Sequence, residues 1–193
     1  MRSWEALPSA PLKPAGEISL SFLRLGIADF QGAARYLQRL PYGRNSDRAD
    51  FRSVLSEGRG TCSTKHALLA LLAKEQGIPV RLTIGIYEMT EENTPGVGKI
   101  LEKFKLPGIP EAHCYLTYNG MRIDITRSGH TPTEPIDRFL YEETIEPEQI
   151  GAYKVELHKR FLRNWLAGGG AAGQRSLEEA WQIREECIAS LGQ

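Results

Sequence analysis

No stretch of this chain is apolar for the roughly 18 residues a membrane helix needs, and Met1-Arg2-Ser3-Trp4-Glu5-Ala6-Leu7-Pro8 lacks the apolar run of a secretory leader. These two absences predict a cytoplasmic protein with no membrane partner. Net charge is missing as well: 24 basic residues stand against 24 acidic ones, so overall charge supplies no attraction to nucleic acid. Cysteine is scarce. Three residues, an odd number with none in a CxxC pair, cannot build a disulfide framework and suit a reducing compartment. No Asp-x-Asp run of the EF-hand kind occurs, and no internal repeat is visible. What remains is ordinary globular composition, 41% hydrophobic and 25% charged, over 193 residues, which suits a single domain spanning 1–193. Nothing in it sets the oligomeric state.

Within that plain background Cys62 stands apart from Cys114 and Cys187. It follows the glycine-rich turn Gly58-Arg59-Gly60-Thr61 and opens a helix that runs to Gln76, apolar nearly all round and therefore buried. Gly77 ends that helix, and Pro79 cannot continue it. At its start, unpaired backbone N–H groups and the positive helix pole favour a thiolate over a thiol. A free cysteine is otherwise a small core hydrophobe, so the chemistry depends on a base and a carboxylate within reach.

Both occur in the stretch from His113 to Thr126, two strand-like runs flanking Asn119-Gly120, a strong hairpin signal. A two-residue turn pairs Tyr118 with Met121, Leu116 with Ile123, Tyr115 with Asp124 and His113 with Thr126. Cys114, Leu116, Tyr118, Met121, Ile123 and Ile125 then share a core face, while His113, Tyr115, Thr117, Arg122, Asp124 and Thr126 share the polar one. On that polar face His113 and Asp124 are diagonal neighbours, about 7–8 Å apart at the backbone and close enough for a side-chain bond. A thiolate at a helix start, an imidazole to share its proton and a carboxylate to orient the imidazole meet the needs of a cysteine acyl-transfer site.

A metal site is the other chemistry these residues could serve, since Cys62 and His66 lie four apart on one helix and His113 and Cys114 are adjacent. Adjacent strand residues point to opposite faces, however, so His113 and Cys114 cannot readily share one ion. The expectation is no metal and no cofactor.

Gly60-Thr61-Cys62, Gly77-Ile78-Pro79, a histidine about fifty residues after the cysteine and an aspartate eleven further on together resemble the core of the transglutaminase-like superfamily, bacterial members included, over about residues 53–126. The resemblance implies an α+β fold with a papain-like core, a buried nucleophile helix packed on an antiparallel sheet, and extra N- and C-terminal helices. It implies a catalytic triad of Cys62, His113 and Asp124 acting on an amide, in a peptide or a glutamine side chain, through a thioester, as hydrolase or acyltransferase. The partner would be a peptide, protein or small amide. It further implies an aromatic beside the histidine, here Tyr115, and an upstream oxyanion donor, for which Tyr42 and Asn45 in the loop after the first long helix are the candidates. A member that has lost activity would instead be a peptide- or protein-binding module.

Residues 1–17, with three prolines, are expected to drape over the surface. A helix at 29–40 is capped by Asp29, a strand covers 80–87, and helices cover 147–166 and 176–191, the last opened by a Ser176–Glu179 capping box. Arg127–Pro135 is turn-rich, and 168–173 reads as a flexible linker. The long connection 88–112, with prolines, glycines and one short helix at 97–105, reads as a mobile lid or wall beside His113, or else as a surface excursion.

Overall fold

The computed structural model describes residues 3–126, 136, 138–169 and 174–191. The segment 127–135 and residues 170–173 of the expected linker lie outside the described residues. The fold is α+β: helices accompany a four-stranded antiparallel sheet of order β3-β2-β1-β4, where β1 is Arg81–Met89, β2 Ile109–Tyr118, β3 Met121–Ile123 and β4 Tyr141–Ile145. The chain divides into two compact units. Residues 1–84, 113–129 and 143–152 form the first, and 85–112, 130–142 and 153–193 form the second. The chain leaves the first unit within β1, after Ile84, and re-enters it within β2, at His113.

The first unit is organised around one helix. α1 (Glu17–Arg24), α2 (Phe30–Arg39) and α3 (Ser53–Glu57) all pack on α4 (Cys62–Gln76), as does the 3-10 turn Pro147–Ile150. Being touched from several sides explains why α4 has no polar face. Ala67, Leu68, Leu69, Leu72 and Ala73 are all fully buried. Asp29 caps α2 by accepting from Gly32 N–H, and Gly77, at φ 66°, closes α4 in the left-handed conformation that glycine adopts without strain. α1 carries little signal in the sequence because its cap is tertiary: Glu75 of α4 accepts the N–H groups of Ile18 and Ser19. The proline-bearing N-terminus is pinned rather than draped, since Leu7 and Leu12 are buried and Leu12 N–H bonds Ala28 O at 2.8 Å.

The hairpin has the expected register. Tyr118 pairs with Met121 and Leu116 with Ile123, around a turn with φ of 48° at Asn119 and 73° at Gly120. The ladder stops at Ile123, so the expected pairs Tyr115–Asp124 and His113–Thr126 do not form within it. Beyond Asp124 two N–H groups are diverted from any ladder, Ile125's to a histidine ring on α4 and Thr126's to the Asp124 carboxylate. The expected polar face of β2 is also buried: Tyr115 is fully covered and His113 nearly so.

In the second unit the segment 88–112 is core rather than lid. β1 continues through Met89, β2 begins at Ile109, and between them α5 (Gly98–Lys103) sets Leu101 in a cluster with Val97, Leu106, Leu162, Ile183 and Cys187. Leu162 lies on α6 (Ala152–Ala167), and Ile183 and Cys187 on α7 (Leu177–Ser190). Prolines and glycines shorten regular structure without preventing burial of the apolar residues between them. Leu101→Ala should therefore lower stability by about 2–5 kcal/mol, as deletion of a buried leucine does. Urea unfolding checks this, and an unchanged midpoint would return the segment to the surface.

The helix expected at 147–166 is broken at Gly151, whose ψ of −115° is far from helical, into the 3-10 turn and α6. Of its expected stripe, Ile150, Leu157 and Leu162 are buried, whereas Tyr153 is exposed. Arg184, which interrupts the apolar arc of α7, is buried in a two-pronged ion pair with Glu111.

Candidate active site

Cys62 is the first helical residue of α4, in the first unit. Its approach is fixed by a capping box in which Thr61 N–H donates to Thr64 Oγ1 at 2.9 Å and Thr64 N–H to Thr61 Oγ1 at 3.4 Å. The Thr64 hydroxyl in turn donates to Asn45 Oδ1 at 2.8 Å, and Asn45 Nδ2 donates to Arg59 O at 3.0 Å. Gly60 is required by close approach. A Cβ there would stand 2.9 Å from Thr64 Oγ1 and 3.1 Å from Val54 Cγ2. A short parallel bridge sets Tyr42 beside Gly60.

His113 Nε2 is 2.9 Å from Asp124 Oδ2. With Nε2 engaged, Nδ1 is the nitrogen left to serve Cys62, whose sulfur is a hydrogen-bonding partner of this ring. Burial works against charge on His113, but the charges of Asp124 and of the Cys62 thiolate outweigh it and hold the imidazolium well above the usual histidine value. Asp124 shows the reciprocal effect. Burial alone would raise it, yet His113 and the bonds it receives hold the carboxylate ionised far below its ordinary range. Thr126 completes the carboxylate, donating both its N–H, at 2.8 Å, and its hydroxyl to Oδ1. Tyr115 stacks on His113, with centroids 6.2 Å apart and planes 21° from parallel.

Two side chains of α4 join this group, and both are fully buried. His66 Nδ1 bonds Cys62 O at 2.7 Å, and its Nε2 accepts the Ile125 N–H at 2.9 Å. A carbonyl on one nitrogen and an N–H on the other permit one neutral tautomer, protonated at Nδ1. Burial agrees, pushing His66 down to about 4 despite the nearby Asp124. Asp124 Oδ1 does lie 3.5 Å from His66 Nε2, but two acceptors face each other there, so the approach is not an ion pair. Lys65 Nζ donates to Leu40 O at 2.6 Å and to Thr126 O at 2.8 Å. Among the described residues no group of three or more His, Cys, Asp or Glu side chains could hold a metal ion.

A thiol at a helix start, an imidazole biased towards its cation and an oriented carboxylate thus meet within one unit. The family model described as the transglutaminase-like superfamily matches residues 28–119. Over those residues the chain is similar to that superfamily. No curated protein and no solved structure matches the chain. The transglutaminase-like segment starts at α2, well before residue 53 where the sequence motifs begin, and it contains Cys62 and His113, while Asp124 lies just past its end. Among the described residues no helix is long and apolar enough to cross a membrane.

Neither Lys65 nor His66 is part of the transglutaminase-like motifs, and the sequence offers His66 only as a possible metal ligand. The signal was present nonetheless. A Lys-His pair leads directly into the alanine- and leucine-rich run 67–73 of a helix read as buried, and a buried charge or imidazole needs a partner. Asn45 holds the loop that precedes Cys62: one amide N–H donates to Arg59 O, and its oxygen accepts from the Thr64 hydroxyl.

Proposed function

We propose that the chain is a transglutaminase-like cysteine enzyme that cleaves or transfers an amide acyl group through a thioester on Cys62. The observation that carries this reading is the His113–Asp124 bond at 2.9 Å beside a cysteine at the first residue of a buried helix. The thiolate attacks the amide carbonyl carbon, forming a C–S bond and an oxyanion. As the C–N bond breaks, His113 gives its proton to the departing amine. Water or a second amine then loses a proton to His113 and attacks the thioester, which releases the product and restores the thiolate. Asp124 holds the imidazole in the tautomer that permits both transfers. The helix start of α4 supplies positive potential for the oxyanion, and Tyr42, aligned beside Gly60, is its side-chain candidate.

The substrate class on this reading is a peptide, a protein or a small amide. The three free cysteines suit a reducing compartment, and the cytoplasm is the compartment we assign. The test uses a small acyl donor. After brief exposure to p-nitrophenyl acetate, peptide mapping should place an acetyl group on Cys62, and His113→Ala should lower its yield by about a hundredfold or more. Acetyl groups on surface lysines with Cys62 unmodified would overturn the proposal.

A further inference from the structure

The sheet does not position Asp124, since β3 ends one residue before it. What holds the carboxylate is a pair of side chains three and four residues after the nucleophile. The His66 ring spans from the carbonyl of Cys62 itself, at 2.7 Å, to the N–H of Ile125, the residue that follows Asp124, at 2.9 Å. Lys65 anchors the next carbonyl, that of Thr126, at 2.8 Å, and Thr126 N–H and hydroxyl close on Asp124 Oδ1. We infer that His66, assisted by Lys65, is a positioning residue that sets the separation between the nucleophile's backbone and the loop carrying Asp124, and that it does so as the neutral Nδ1–H tautomer.

The arrangement costs more than packing requires. Leucine would suit either position in so buried a stretch of helix, yet a lysine and a histidine are buried there completely, bonded to the backbone at Leu40 O, Thr126 O, Cys62 O and Ile125 N–H. Burial of a cation and an imidazole costs free energy unless hydrogen bonds replace the lost water, so where those bonds go is informative. Three of the four bonds converge on two points, Cys62 and residues 125–126, and the fourth ties Lys65 to Leu40 O. The edge-to-face approach of His66 to His113, with centroids 6.3 Å apart, limits the third member of the group as well. Protonation at Nε2 would set a second donor against the Ile125 N–H and release the loop, so the tautomer is part of the design.

The inference rests on the assignment of Cys62, His113 and Asp124 as one catalytic unit, and its test separates the two. The readout is the pH profile of Cys62 alkylation by iodoacetamide in the folded protein, which a purely structural role does not move. An asparagine amide reaches about as far as Nδ1, and a glutamine amide about as far as Nε2. His66→Asn therefore keeps the bond to Cys62 O and loses Ile125, whereas His66→Gln keeps Ile125. His66→Asn should displace the profile towards that of a free thiol and slow alkylation at about pH 6.5 by about tenfold, with His66→Gln changing it by less than about threefold. A folded His66→Asn with the wild-type profile, or two variants displaced equally, would overturn the inference. His113→Ala supplies the separation: if it leaves the profile unchanged, the catalytic assignment fails first. Nitrogen-15 shifts of His66 in the unaltered protein at about pH 7 give a check that needs no variant. They should report the neutral Nδ1–H form, and the Nε2–H form or the imidazolium would sink the idea whatever the variants do.

Discussion

Iodoacetamide should modify Cys62 at least about a thousandfold faster than Cys187 at neutral pH, with Cys114 as inert as Cys187. The margin comes from opposite environments. Burial, with the charge of Glu111 and Glu186 adding to it, pushes the Cys187 thiol up to about 11, so about one molecule in ten thousand carries its thiolate at pH 7. Cys114 and Cys187 are both fully covered. Cys62 instead retains 9% exposure, sits at the positive end of α4 and faces an imidazolium that Asp124 stabilises. Asp124→Asn should remove most of the advantage, because the amide supplies no charge to hold His113 protonated. Mass mapping after brief labelling decides the matter, and equal modification of the three thiols would show that Cys62 is not activated.

Stability should peak near pH 6.5 and fall steeply on the acid side. His66 and His158 are both pushed down to about 4, chiefly by burial, from an ordinary value of 6.5. Between those values the unfolded chain binds protons that the folded one refuses, so stability rises with pH across that window. Going from pH 6.5 to about 4, each histidine should cost roughly 3 kcal/mol. His113 acts on the other side. Its folded value is raised, so its contribution is complete below 6.5 and is lost as pH rises through the folded value. The depressed carboxylate of Asp124 changes stability only below about its ordinary value of 3.8, outside this window. Urea unfolding at pH 6.5, 5.5 and 4.5 tests the slope, and His158→Gln, which cannot take the proton, should flatten it by about half. A flat profile from 6.5 to 4.5 would mean that neither histidine is buried neutral.

His158 and Glu111 show where the sequence was difficult to read. His158 Nε2 donates to Pro110 O at 2.8 Å, and Glu111 takes both prongs of Arg184 across 73 positions of chain. Neither partner is signalled by local spacing, since hydrogen bonds at such separations depend on how elements pack. The same limit hid the core role of 88–112. Its prolines and glycines announce loops, and only the presence of α6 and α7 turns Val97, Leu101 and Leu106 into core.

The sequence by itself determined the hairpin and the place of Cys62 at the start of a buried helix. Glycine, threonine and cysteine ahead of an alanine- and leucine-rich run specify a capped helix with a thiol at its first residue, and Asn119-Gly120 specifies the turn that sets the register of β2 and β3. Those are interactions between near neighbours, governed by backbone conformation and side-chain period. The tertiary structure alone decided how Asp124 is held. The residue lies past the end of its strand, and the bonds that fix its loop come from Lys65 and His66, about sixty residues earlier, through backbone atoms that have no side-chain identity to read. The bonds by which Asn45 braces the turn before Cys62 are likewise tertiary, because an amide binds whichever carbonyl the fold brings within reach.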